Sequence, residues 1–130
     1  MPSLVKITLS GCGLILVFDV LASLASREFG FPYVAATPGS LLIYAAAGFV
    51  AGRAHGVPQA AGVGALVGEV ESTIGWWLSF VIGAIQPESA TTSQEIASVI
   101  VAMIVVGGMA GAAGGWLGRR FAPRPTRELT

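Results

Sequence analysis

The run GALVGEVESTIGWW places Glu69 and Glu71 two residues apart inside a long apolar stretch, and Asp19 lies inside another. Acids in such surroundings are costly: even mild insertion scales assign about 2.5–3.5 kcal/mol to a charge at the centre of a bilayer. No Lys, Arg or His lies at comparable depth in any apolar stretch to act as a counter-ion. An acid so placed is either protonated or holds a cation, and exchange between those states is the chemistry of proton or cation coupling. On a helix, residues two apart point about 200° from one another. Glu69 then shares its side with Ser72, Thr73 and Trp76, a wetter and bulkier surface that could line a cavity. Glu71 shares its side with Gly64, Gly68 and Gly75, a smooth surface suited to another helix. This makes Glu69 the expected main site, with Glu71 and Asp19 in support. The competing explanation is structural. Permanently neutral acids can bridge helices through hydroxyls and carbonyls, each such bond contributing about 0.6–2 kcal/mol.

The elements that must position these acids are membrane spans. Of 130 residues, 54% are hydrophobic and only 11% charged, with a mean hydropathy of +0.77, whereas a soluble domain carries about 25% charged residues. The apolar residues come in blocks near the roughly 20 residues a spanning helix needs. Helices are expected over about 4–25, 38–54, 58–85 and 93–118, forming an all-α bundle of four transmembrane helices in one domain, 1–118, with a basic tail at 119–130. Thr37 is placed to cap the second helix and Pro38 to begin it. Thr92 with Glu95 reads as a capping box opening the fourth. Glu69 falls about 17 Å along the third helix from Pro58, close to the bilayer midplane.

Small residues recur at four-residue spacing: Gly48 and Gly52 on the second helix, Gly64 and Gly68 on the third, Gly107, Gly111 and Gly115 on the fourth. Helices in lipid associate through close van der Waals contact, which small residues permit. The stripes are expected to serve packing within the bundle, or else dimerisation through the fourth helix. Trp116, beside Arg119 and Arg120, suits an interfacial anchor. Trp76 and Trp77 lie deeper and are expected to fill core space or line a cavity.

Net charge is zero, which leaves no basic field for nucleic acid. Cys12 and His55 are the only residues of their types, so no Cys- or His-based metal site and no cofactor are expected. A nucleophile elbow and a phosphate-binding loop are also missing, so an enzyme is not expected. Four spans, similar length and a membrane-embedded acid are similar to the small multidrug transporters. The first-helix acid here lacks that family's surrounding pattern and the principal acids are in the third helix, so no family is assigned. The expected function is a proton- or cation-coupled transporter or a narrow cation pathway. The alternative is an accessory or assembly subunit of a larger membrane complex. The bilayer is the expected partner, together with further copies of the chain or such a complex.

Lys6, Arg53, Arg119, Arg120, Arg124 and Arg127 fall on one side of a four-span arrangement and Arg27 on the other. That bias places both termini in the cytoplasm. Reporter fusions at Met1 and Thr130 are expected to report the cytoplasmic side for both ends in every copy. A sizeable fraction with either end outside would contradict the single orientation.

Overall fold

The computed structural model describes residues 2–86 and 92–122. Four spans are long and apolar enough to cross a membrane: Leu4–Phe29, Tyr33–His55, Val57–Ile82 and Ser93–Arg120. Helix α1 (Leu4–Phe29) starts where the Ser3 hydroxyl accepts the Lys6 N–H, and ends on Gly30, whose positive φ of 71° lets its N–H close back onto the Ser26 carbonyl. The second span opens with a 3-10 turn, Tyr33–Ala36, that runs into α2 (Thr37–His55). Thr37 is therefore not the cap. It lies inside the helix, and its hydroxyl donates to the Val34 carbonyl at 2.7 Å. The added turn brings this span to 23 residues, so the short apolar run suffices to cross.

Helix α3 (Val57–Val70) follows after Gly56 alone and continues through a π-helical turn, Glu71–Gly75, into α4 (Trp76–Ile82). The third span stops at Gly83, with φ 85°, rather than at the expected residue 85. Helix α5 (Ser93–Arg120) opens with the capping box: the Thr92 hydroxyl accepts the Glu95 N–H, and the Glu95 carboxylate accepts the Thr92 N–H at 2.7 Å. Arg119 and Arg120 form its last turn instead of starting a tail, and the rest of the expected tail, from residue 123, lies outside the described residues.

Helices α2 and α3 lie side by side at the centre. Helix α5 packs on one side of that pair, and α1 packs on the other, against α2, α3 and α4. The α5 side is joined backbone to backbone. A Cβ added to Gly48 would lie 2.6 Å from Gly111 Cα, and one added to Gly111 would lie 2.9 Å from Gly64 Cα. Gly107 meets Gly68, and Gly115 meets Gly52, in the same way. The fourth helix's glycine stripe is thus buried against its own chain and is not a free surface for a second copy. The α1 side is joined by side chains, with Ile7, Ile15, Tyr44, Val63 and Val67 in the core. Leu9, Val17, Leu21 and Met109 face outward, as lipid-facing residues do.

Charge separates by end. Lys6, Arg53, His55, Arg119 and Arg120 lie at one end of the spans, where the Arg120 guanidinium sits 5.4 Å from the Trp116 ring. Arg27 and Glu28 pair at the other end. Trp76 and Trp77 do not fill the core: they are 39% and 58% exposed, and Trp76 stacks on Phe80 along the outer face.

Gly111→Leu is expected to destabilise the bundle by roughly 1–3 kcal/mol or more, because the added side chain meets backbone that cannot yield. Ala102→Leu, on the exposed face of α5, should change little. Thermal unfolding in detergent checks the difference, and equal effects would contradict the packing.

Candidate functional site: two acids around a π-turn

Each π-turn inserts one extra residue into a helix, which swings everything beyond it by about 100°. That swing decides where the acids go. In regular α-helix, Gly64, Gly68, Gly75 and Ser79 would form one stripe. In the structure Gly64 and Gly68 face α5, against Gly107 and Met103, while Gly75 faces Asp19 and Ser79 faces Ser23, both on α1. The register change is seen directly in the Trp76 N–H donating to the Glu71 carbonyl, five residues back. Hydroxyls at the start of the turn bond back to the preceding helix. Thr73 donates to the Glu69 carbonyl at 2.7 Å, and Ser72 donates to the same oxygen at 3.1 Å.

Between α1, α2 and the π-turn, the polar residues of the bundle collect. The buried face of α1 changes character along its length, from Ile7, Gly11 and Ile15 to Asp19, Ser23 and Ser26. Asp19 is fully buried, and the Tyr33 hydroxyl donates to its Oδ1 at 2.7 Å. Its Oδ2 is buried with no hydrogen-bond partner among the described residues. That oxygen lies against the bare backbone of Gly75: a Cβ there would strike Oδ2, and would lie 3.0 Å from Asp19 Cγ and 3.5 Å from Glu71 Cγ. Glu71 reaches the other way, to α2. Ser40 donates to its Oε1 at 2.6 Å, and Tyr44, fully buried, donates to its Oε2. Above the acids, toward the Arg27 end, Ser23 donates to Ser79 at 2.8 Å, Ser79 donates to the Gly75 carbonyl, and Ser26 donates to the Phe31 carbonyl. Below them, toward the basic end, Ile15, Ala60, Val63 and Val67 close the core with apolar side chains.

Asp19 and Glu71 are therefore brought together, and Glu69 is not. Glu69 is exposed on the outer surface, near the middle of its span, with only its main-chain carbonyl engaged among the described residues. Thr73 is exposed beside it. Ser72 and Trp76 border a small groove of about 100 Å³ against Glu95, Ile96 and Val99 of α5, separate from Asp19 and Glu71. The expected roles of the two glutamates are exchanged: the acid assigned to a smooth glycine surface meets hydroxyls, and the acid assigned to a cavity faces outward. Glu69 precedes the π-turn, and the side it shares with Thr73 and Trp76 is the exposed one; a helical projection groups residues by side without saying which side is buried.

Sequence reasoning missed the donors. Tyr33 and Tyr44 are the chain's two tyrosines, and each donates to one of the acids. Spacing carried a signal for them: Ser40 with Tyr44, Asp19 with Ser23, and Gly75 with Ser79 all stand four apart, as residues sharing a helix face do. Among the described residues no cluster of three or more His, Cys, Asp or Glu side chains could hold a metal ion. Comparisons of the chain with protein-family models, with curated proteins and with solved structures find no match.

Alanine normally stabilises a helix interior relative to glycine by roughly 0.5–1 kcal/mol. Gly62→Ala, with open space around it, is expected to show that gain. Gly75→Ala should reverse the sign, losing roughly 1–3 kcal/mol as the methyl displaces the Asp19 carboxyl. Paired unfolding curves in detergent check this, and a stabilised Gly75→Ala variant would contradict the close approach.

Proposed function

We propose that this chain is a small proton- or cation-coupled membrane transporter, or a narrow cation pathway, with Asp19 and Glu71 as its ionisable centre. One observation carries the reading: the fully buried carboxyl of Asp19 and the partly buried carboxyl of Glu71, from different spans, meet around Gly75, dressed by hydroxyls and with no basic side chain among their hydrogen-bond partners. Hydroxyls can donate to a carboxylate or accept from a protonated acid by turning the O–H bond. The cluster can therefore carry either state of each acid without rebuilding its packing. The unpartnered Oδ2 of Asp19 is the atom best placed to take a proton or a small cation.

The surroundings suggest the route. Ser23, Ser26 and Ser79 lead from the acids toward the Arg27 end, and the apolar core seals the basic end. Helices α2 and α3 are joined to α5 through glycine backbones, whereas α1 meets α2 and the third span through side chains, a Cβ on Gly11 falling 3.0 Å from Val67 and 3.3 Å from Ala47. Access from the basic end would follow from α1 tilting against the other three, a shear of packed helices. The accessory-subunit reading draws on a different observation, the outward carboxyl of Glu69 near mid-span, which a partner's helix would cover.

Asn and Gln keep the shape of the neutral acids and their hydrogen-bonding capacity. In liposomes under a pH gradient, Asp19→Asn and Glu71→Gln are expected to reduce proton-linked flux to the level of protein-free vesicles, while Glu69→Gln retains it. Loss in Glu69→Gln alone would move the site to the outer face. Wild-type behaviour in all three, or no flux in the parent protein, would favour the assembly subunit.

A further inference from the structure

At the basic end a groove of about 310 Å³ runs along the outside of the bundle between α1 and α2. Gly11, Ala46 and Ala47 keep it deep, and Leu14, Ile43 and Val50 give it apolar walls. From Lys6 to Leu14 it extends about 12 Å along α1, from the charged end into the apolar depth of the span. A second hollow of about 220 Å³ adjoins it, sharing Pro2 and Val50 and bordered by Arg53. Pro2 is tied down there, its carbonyl 3.1 Å from the His55 ring nitrogen Nε2. With Pro2 and Val50 common to both, Lys6 borders the first hollow and Arg53 the second. Neither pairs with a carboxylate among the described residues, where the one ion pair is Arg27–Glu28 at the opposite end.

We propose that this groove binds an anionic phospholipid, with an acyl chain between α1 and α2 and the phosphate between Lys6 and Arg53. The distribution of chemistry selects a lipid. The positive charge is confined to the mouth, and below it the groove offers small and aliphatic side chains, with the Ser10 hydroxyl one turn beneath Lys6 where a glycerol ester would lie. A water-borne anion would use the mouth and leave the apolar length unfilled. Basic pockets between spans at the membrane surface recognise anionic headgroups in this manner. The inference is independent of the proposed function, since neither Asp19 nor Glu71 lines the groove.

The test uses the full chain, delipidated in neutral detergent, with phosphatidylglycerol and phosphatidylcholine of identical acyl chains. Native mass spectrometry and melting curves read binding. The wild type is expected to bind phosphatidylglycerol about tenfold or more tightly than phosphatidylcholine, the effect of two basic residues at a membrane surface. The double variant Lys6→Gln/Arg53→Gln should lose that preference, and Arg119→Gln/Arg120→Gln should keep it. Ala46→Phe, which fills the groove from an exposed position, should weaken both lipids. Equal binding of the two lipids by the wild type would overturn the proposal. So would an undiminished preference in Lys6→Gln/Arg53→Gln, undiminished binding in Ala46→Phe, or displacement of the lipid by glycerol phosphate at equal concentration, which would mark the mouth as a site for a soluble anion.

Discussion

The third span packs against all three of the others, and the π-turn at Glu71–Gly75 turns its small-residue face from α5 to α1. Before the turn its small residues lie against α5; after it, Gly75 and Ser79 lie against α1. The swing of about 100° is the angular step of the single residue inserted. Ser72 and Thr73, inside the turn, donate back to the Glu69 carbonyl. The turn sets the bare backbone of Gly75 against the Asp19 carboxyl.

From that constraint the bundle divides into a part joined through backbone contacts and a part joined through side chains. Glycine contacts fix α2 and α3 against α5 at backbone distance, where neither partner has a side chain to rearrange. Helix α1 contributes Asp19 and Ser23 to a layer whose other members come from the 3-10 turn, α2 and the π-turn region. An unpaired charge in that layer would be strongly destabilising, whereas hydroxyl-bonded acids are tolerated and each bond adds only about 0.6–2 kcal/mol. The polar layer therefore adds modestly to the apolar packing of Ile7 and Ile15 that seats α1. Glu69 stands outside this logic, on a surface that only lipid or another chain can cover.

Much of this was legible in the residues and some was not. Span number followed from block length, and the Thr92–Glu95 capping box from its spacing, because both depend on local sequence alone. The acids were legible as a set, since their cost in lipid is a property of residue type. Their ranking was not. A helical projection shows which residues share a side but not which side is buried, and the side of Glu69 faces outward; beyond it the segment ESTIG departs from 3.6 residues per turn. Nothing in Ser72, Thr73 or Ile74 announces a π register, for β-branched and hydroxyl residues also occur in regular helices within membranes. The partner Tyr33 was hidden for another reason. It comes from a turn read as loop, where the true span begins about five residues before the expected start at residue 38.

The central claim is that Asp19 and Glu71, and not Glu69, form the ionisable centre. Infrared difference spectra of the protein in lipid, taken across a pH titration, observe carboxyl protonation without requiring turnover. If the account holds, a titrating carboxyl band appears in the parent protein, persists in Glu69→Gln, and is lost or shifted in Asp19→Asn and in Glu71→Gln. A band that vanishes only in Glu69→Gln, or a carboxyl region unchanged by pH, would contradict it.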